Sequence, residues 1–359
     1  MTRQPAADAV ILIPSLEPDE RLPQYIRELK ESGFRHAVVV DDGSSERYQP
    51  IFQEIDKMDG VTVLHHEVNR GKGVALKTGY RYIKEHLTDI TGVITADADG
   101  QHTVKDCIRL AEMLEDGKKA LYLGSRDFSL DFIPEKSRKG NKITSAVFKV
   151  LYGQYLPDTQ TGLRAFRREE LDFMMGVEGE RYEYEMKVLI ACTRANIPLI
   201  PVTIETIYEN NNEGTHFHPI RDSWRIYKVI LGSFFAFMAS SLICVLIDQG
   251  IFNLLNLGVF HNGETKTAGT ILLCTVIARV ISAGTNFTMN RNLVFKQKGN
   301  AKKAFLRYLA LCIGIMLMSA GGTWLLSRIM SSTVAKLIVD TLLYFVSYRM
   351  QQSWVFREE

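Results

Sequence analysis

The sequence predicts an α/β domain built on a mostly parallel sheet, followed by an all-α transmembrane domain of four helices. Apolar runs alternate with amphipathic stretches from position 1 to position 222, and acidic clusters close two of those runs. Two later stretches, 229–247 and 308–326, contain no Asp, Glu, Lys or Arg at all. Strand and helix alternating at this pitch give a parallel sheet whose ligands gather at the carboxyl ends of the strands. The two charge-free stretches are each long enough to span a bilayer as a helix.

Each element has its own signal. Residues 9–13 are a short β-rich run ending at Pro14, and Leu22, Ile26 and Leu29 give residues 20–30 helical spacing before Gly33 stops it. A strand over 36–40 closes on Asp41-Asp42-Gly43-Ser44. A helix around 51–58, a strand over 61–65 and a helix over 74–86 follow, and the next strand runs into TADADGQH at 95–102. With 359 residues, 46% apolar and 23% charged, the chain has room for two compact units, expected at 1–222 and 223–359. Cys107, Cys192, Cys244, Cys274 and Cys312 stand singly without CxxC spacing, which indicates neither a metal cluster nor a disulfide frame and suits a reducing compartment. The opening MTRQPAADAVILIPSL reads as a first strand rather than a secretion signal, so the first half is expected to stay in the cytoplasm. A formal charge of +2 selects no partner, and no nucleic acid is expected.

In an extended segment residues i and i+2 face the same side, so Asp97, Asp99 and Gln101 can converge outside the sheet. Three hard oxygen donors suit Mg²⁺ or Mn²⁺ bound together with a diphosphate. An isolated DxD after a strand is more often a solvated turn. Here the context is richer: Asp41 and Asp42 end an earlier strand, where they can hydrogen-bond a nucleobase or ribose. Asn69-Arg70-Gly71-Lys72-Gly73 opens a helix with a glycine-flanked lysine near where phosphate would lie.

VDDGS at 40–44, NRGKG at 69–73, DADGQH at 97–102, GSR at 124–126 and DTQTGLRAF at 158–166 resemble, in order and rough spacing, the GT-A family 2 glycosyltransferases. Within these the chain is most similar to the branch of dolichol-phosphate mannose synthase and the bacterial polyprenyl-phosphate glycosyltransferases. The resemblance implies a GT-A, Rossmann-like nucleotide-sugar domain over residues 8–222, in which Asp41 and Asp42 contact base and ribose. It also implies that Asp97, Asp99 and Gln101 hold the divalent metal on the donor diphosphate, and that Asp158 and Thr161 line the sugar site or brace its loop.

A hydroxyl acceptor in this superfamily usually needs a carboxylate base. A phosphate monoester, with a second pKa of about 6, is already ionised. The protein must then hold two anionic groups together, which suits arginine. Arg126 and Arg138 are the leading candidates for that catalytic work beside Asp99, with Lys139 and Lys142 as support. Arg164 is a weaker one, because TGLRAF reads equally as a strand with an internally paired arginine. Glu183 and Glu185 either touch sugar hydroxyls or simply charge a helix N-terminus. His216 and Arg221 are candidates to reach the donor phosphates when their loop closes, and Arg221, Trp224, Arg225, Tyr227 and Lys228 also fit the lipid headgroup level.

Four membrane spans are expected, at 229–247, 268–289, 308–326 and 332–350. The connection from 291 to 307 carries Arg291, Lys296, Lys298, Lys302, Lys303 and Arg307. By the positive-inside rule that connection, the catalytic half and the C-terminus are cytoplasmic. NFTMNRNLVF at 286–295 and SYRMQQSWVF at 347–356 echo one another, each following a span, a pattern that resembles the GtrA-like membrane family. Lys336 and Asp340, and Asp248 with Arg279, are expected to pair, since charge within a span is costly. Two function classes stand. The first is an inverting, metal-dependent transfer of a hexose from a nucleotide diphosphate sugar, UDP-linked by preference with GDP-mannose open, to a polyprenyl phosphate at a bacterial cell membrane, by a chain that is monomeric or a homo-oligomer. The second is a lipid-linked sugar transporter with a regulatory nucleotide-sugar domain.

Overall fold

The computed structural model describes residues 5–130, 133–207, 219–259, 268–297 and 299–357. It divides into two compact units, Met1–Ile230 and Leu231–Glu359. In chain order the first contains β1 (Ala9–Ser15), α1 (Arg21–Glu31), β2 (His36–Asp41), α2 (Gln49–Ile55), β3 (Val61–His65) and α3 (Lys72–His86). There follow β4 (Gly92–Thr95), α4 (Val104–Leu114), β5 (Leu121–Ser125), α5 (Glu135–Tyr152), β6 (Arg164–Arg167), α6 (Leu171–Gly176), α7 (Glu183–Arg194) and β7 (Leu199–Thr203).

The seven strands form one sheet in the order β3-β2-β1-β4-β6-β5-β7. Every pairing is parallel except those of β6, which runs antiparallel to β4 and β5. The chain builds outward from β1 to β3, then returns past β1 to lay down β4. That reversal leaves a crevice at the carboxyl ends of β1 and β4. Val10 to Ile13 are entirely buried, as in a strand covered on both faces, so β1 is a continuous apolar run without alternation. β6, whose antiparallel direction no periodicity announced, brings Arg164 opposite Thr95 and so starts where β4 ends.

The second unit is helical. α8 (Pro219–Asn253) leads into it, and α9 (Ala268–Met289), α10 (Ala301–Leu326) and α11 (Ser332–Met350) complete it. Asn300 and Ser331 cap α10 and α11 through hydrogen bonds from the first-turn N–H groups. Among the described residues three helices are long and apolar enough to cross a membrane: Trp224–Val259, Gly269–Val294 and Ala301–Leu326. α11 lies where the fourth span was expected but does not meet that measure, because Lys336, Asp340 and Arg349 interrupt it. Lys336 and Asp340 pair at 2.9 Å, and Arg279 and Asp248 at 3.4 Å.

The repeat in the membrane unit is also structural. Asn290–Val294 and Gln351–Val355 are both π-helical turns following a long helix. The equivalent residues meet: Asn290 Nδ2 donates to Gln351 Oε1 at 3.0 Å, and Phe295 stacks on Phe356 with ring centroids 5.2 Å apart. Each hub residue also bonds one turn back, Asn290 to Asn286 and Gln351 to Ser347.

Candidate functional site

All five sequence motifs arrive at one edge of the sheet. β2 ends in Asp41, β4 runs into the DxD segment, and β5 ends just before Arg126. Because β6 is antiparallel, the Asp158–Gly162 segment that feeds it reaches the same edge.

Asp41 and Asp42 are 1% and 4% exposed, and protein donors engage both carboxylates. Asp41 accepts from the Ser44 N–H at 2.8 Å, Gln49 Nε2 at 3.1 Å and His65 Nδ1 at 3.0 Å. Burial would raise its pKa, but the hydrogen bonds from Ser44, His65 and Gln49 outweigh burial and hold it below the usual carboxylate value. Asp42 accepts from the Arg70 and Gly71 N–H groups at 2.9 and 2.7 Å and from His66 Nδ1 at 2.7 Å. His66 in turn reaches Thr78 at 3.0 Å through Nε2. Of the acidic pair expected to meet base and ribose, Asp42 fixes the NRGKG loop against the strand ends, while Asp41 holds its own turn at Ser44 and the end of β3 at His65. Gly71 sits at φ 100°, and a Cβ there would run into the Glu180 carbonyl and the Arg181 side chain.

Lys72, the first residue of α3, extends its amine between two carboxylates, Asp97 Oδ1 at 2.7 Å and Glu185 Oε1 at 3.0 Å. Burial opposes the lysine's charge, yet Asp97 and Glu185 outweigh burial and raise its pKa. Burial would likewise raise Asp97, but Lys72, with His102 and Arg126 behind it, holds that carboxyl down to about 2. His102 Nδ1 accepts the Asp97 N–H at 3.0 Å, which leaves Nε2 as the protonated nitrogen, 4.0 Å from Asp97 Oδ2. Gly162 completes the seat: Thr95 Oγ1 donates to its carbonyl at 2.8 Å, and a Cβ on Gly162 would collide with the Asp97 carboxylate.

Asp99 is half-buried and accepts the Gln101 N–H at 3.0 Å across Gly100, beside which the space is open. Burial and the nearby Asp97 charge push the Asp99 pKa up, against that hydrogen bond. Two mutually repelling carboxylates beside an amide suit a hard divalent cation. Among the described residues no three Asp, Glu, His or Cys side chains close on one point, so such a cation would take only part of its coordination from the protein. Diphosphate and water would supply the rest.

The arginines separate. Arg126 binds Asp158 with two donors, Nε at 2.7 Å and Nη2 at 3.2 Å, packs over Phe128, and acts electrostatically on Asp97. Arg138 donates to the Leu130 carbonyl at 2.9 Å and supports the loop before α5. Arg164 is in a strand, as one reading had it, but its partners are the carbonyls of Thr161 and Glu185 at 3.0 and 2.8 Å rather than a carboxylate. Asp158 and Thr161 brace the loop, Thr161 Oγ1 accepting the Leu163 N–H at 3.2 Å. Glu183, the first residue of α7, accepts the N–H groups of Glu180 and Arg181 in the segment before the helix, whereas Glu185 pairs with Lys72. His216 lies outside the described residues, and of Arg221 only the backbone, in α8, is described. His66, His102 and Gly162 escaped sequence reasoning. The available signal was His102 at the end of the DxD motif, close in sequence to Asp97.

This chain belongs to glycosyl transferase family 2, which matches residues 10–173, and its residues 236–356 match the GtrA/DPMS transmembrane domain. It is an enzyme, a glycosyltransferase with a GT-A fold, and a membrane protein. An uncharacterized protein of Methanocaldococcus jannaschii is 30% identical over 229 residues, 63% of this chain and 92% of that protein. A UDP-N-acetylglucosamine–dolichyl-phosphate N-acetylglucosaminyltransferase of Methanococcus voltae is 27% identical over 215 residues, 55% of this chain and 85% of that one. An undecaprenyl-phosphate 4-deoxy-4-formamido-L-arabinose transferase of Edwardsiella ictaluri is 29% identical over 159 residues, 44% of this chain and 46% of its own length.

Proposed function

We propose that this enzyme transfers a hexose, with inversion, from a nucleotide diphosphate sugar to a polyprenyl phosphate at the cytoplasmic face of a bacterial membrane. UDP-sugars are the favoured donors and GDP-mannose is the second choice. The observation that carries the acceptor class is the state of the carboxylates. Glu185 is engaged by Lys72, Asp158 by Arg126, and Asp41 and Asp42 by hydrogen-bond donors. A site whose further carboxylates are so occupied suits an acceptor that needs no base, and a lipid phosphate is already ionised. The names of the relatives, which include dolichyl- and undecaprenyl-phosphate transferases, support the same class.

Asp97, Asp99 and Gln101 would hold Mg²⁺ or Mn²⁺, which when bound neutralises the departing diphosphate. Arg126, fixed by Asp158, is assigned to the acceptor phosphate, so that two anions tolerate one another. Arg138 serves by holding the loop before α5. His216 and Arg221 stay assigned to the donor phosphates. A phosphate oxygen of the lipid attacks the anomeric carbon and forms the new C–O bond, and the bond from that carbon to the diphosphate breaks with its electron pair leaving on the diphosphate oxygen. A single displacement inverts the centre.

α5 supports a lipid surface beside this site. Ile143 and Val150 are 54% and 55% exposed on one stripe, with Lys139, Lys142 and Lys149 also exposed. The decisive experiment offers purified protein a panel of nucleotide sugars with undecaprenyl phosphate and Mg²⁺ or Mn²⁺, following nucleotide release and glycolipid formation. Lipid-dependent turnover lost in Asp99→Ala, with an inverted anomeric centre by NMR, is expected. Donor binding without glycolipid would remove the acceptor assignment and favour a lipid-linked sugar transporter.

A further inference from the structure

Lys72 sits where it competes with the cation the site is built to take. Its amine lies 2.7 Å from Asp97 Oδ1 and 3.0 Å from Glu185 Oε1, and the three side chains are only 15%, 31% and 13% exposed. A divalent ion on Asp97 and an ammonium on the same carboxylate would stand about 4 Å apart in a shielded site, where their repulsion far exceeds thermal energy. Glu185 gives the amine another anionic partner close by. Its own position is fixed: the Arg164 guanidinium donates to the Glu185 carbonyl at 2.8 Å, and Glu183 ties the preceding loop to the same helix start by accepting the Glu180 and Arg181 N–H groups.

We infer that Lys72 is the resident counter-cation of the metal-free donor site and that Glu185 receives it when a divalent ion binds. Asp97 then has a cation beside it in either state, and Lys72 is never left unpaired. Glu185 is on this reasoning a positioning residue, which sets metal affinity by drawing Lys72 away from Asp97. The inference rests on the metal reading of Asp97, Asp99 and Gln101 above, and extends it to two residues that are not ligands.

The test measures Mn²⁺ binding to the full-length protein in detergent without nucleotide or lipid, from the free-Mn²⁺ EPR signal. Lys72→Met is expected to bind Mn²⁺ about tenfold tighter or more, because the competing charge is gone. Glu185→Gln is expected to bind about threefold weaker or less tightly still, because Lys72 is then held by Asp97 alone. In the Lys72→Met background the Glu185→Gln change should lose most of its effect, which a direct field of Glu185 on the metal would not. Lys72→Arg, which keeps the charge, should return affinity toward the wild type. If Asp99→Ala binds Mn²⁺ as the wild type does, the metal reading itself is wrong. If Asp99→Ala loses binding but Lys72→Met binds no tighter, the metal reading survives and the hand-off is overturned. Should Lys72→Met fail to fold, unchanged affinity in Glu185→Gln overturns it equally.

Discussion

The carboxyl edge of the sheet and the interior of the membrane unit both bury polar side chains, by different means. At the sheet edge the buried groups are ionic and set against one another: Lys72 between Asp97 and Glu185, and Arg126 on Asp158. Inside the membrane unit they are neutral. Ser240, Asn290, Gln351, Asn286 and Tyr308 form a chain of hydroxyls and amides around the π-helical turns. The cations of its two described ion pairs stand outside this interior, with Arg279 74% and Lys336 59% exposed. A site that handles diphosphate needs charge in reserve, whereas surroundings without water tolerate polar groups best when they are neutral and fully bonded. One sequence therefore uses two kinds of buried polarity for two tasks.

The largest effect expected is at the ionic edge. Asp99→Ala should lower turnover by about 10³-fold, by analogy with removing one electrostatic stabiliser from a preorganised site, with melting temperature little changed. Gly162→Ala tests the same edge through geometry. Its methyl group would displace the Asp97 carboxylate, so about a 10²-fold loss of turnover is expected with the secondary structure intact by circular dichroism. Normal activity in this variant would mean that the position of Asp97 is not critical.

Arg126→Ala breaks a pair whose acid is fully buried. It should destabilise the protein by about 3 kcal/mol in denaturant melts, besides raising the KM for the lipid. Arg126→Ala with Asp158→Asn should recover most of the stability and little of the activity, which separates the two roles. In the membrane unit the neutral network should yield less. Asn290→Leu is expected to cost about 1 kcal/mol, and the Asn290–Gln351 coupling in a double-mutant cycle about 0.6 kcal/mol. A coupling as large as that of an ion pair would erase the contrast between the two regions.

The smallest effect concerns pH. Asp41 has a folded pKa below its ordinary 3.8, so its contribution to stability is complete above that value and is lost as pH falls through the lowered one. Asp41→Asn should therefore flatten the loss of stability below pH 4 while leaving the slope near neutrality unchanged.

Much of the first unit was legible because its signals are local. The strand ends at Asp41 and Thr95, the helix after Gly71 and the membrane helices follow from runs, spacings and punctuation within a short reach of chain. The roles of the charged side chains were less legible. Arg138 and Arg126 look alike in sequence, yet one holds loop carbonyls and the other a buried carboxylate. Glu183 and Glu185 are near neighbours, yet one holds the N–H groups of the preceding loop and the other clamps Lys72.

By itself, the sequence determined the α/β order, the DxD segment at a strand end, the family, the charge-free membrane stretches and the echo of NFTMNRNLVF in SYRMQQSWVF. These depend on local periodicity and on motifs that are contiguous along the chain. Only the tertiary structure decided that β6 runs antiparallel, that Asp42 braces the NRGKG loop, and that Lys72 joins Asp97 on one side to Glu185 on the other. It also decided that the repeated turns meet through Asn290 and Gln351. Such pairings depend on which distant groups the packed sheet and helices bring within hydrogen-bond reach, and no local pattern encodes that distance.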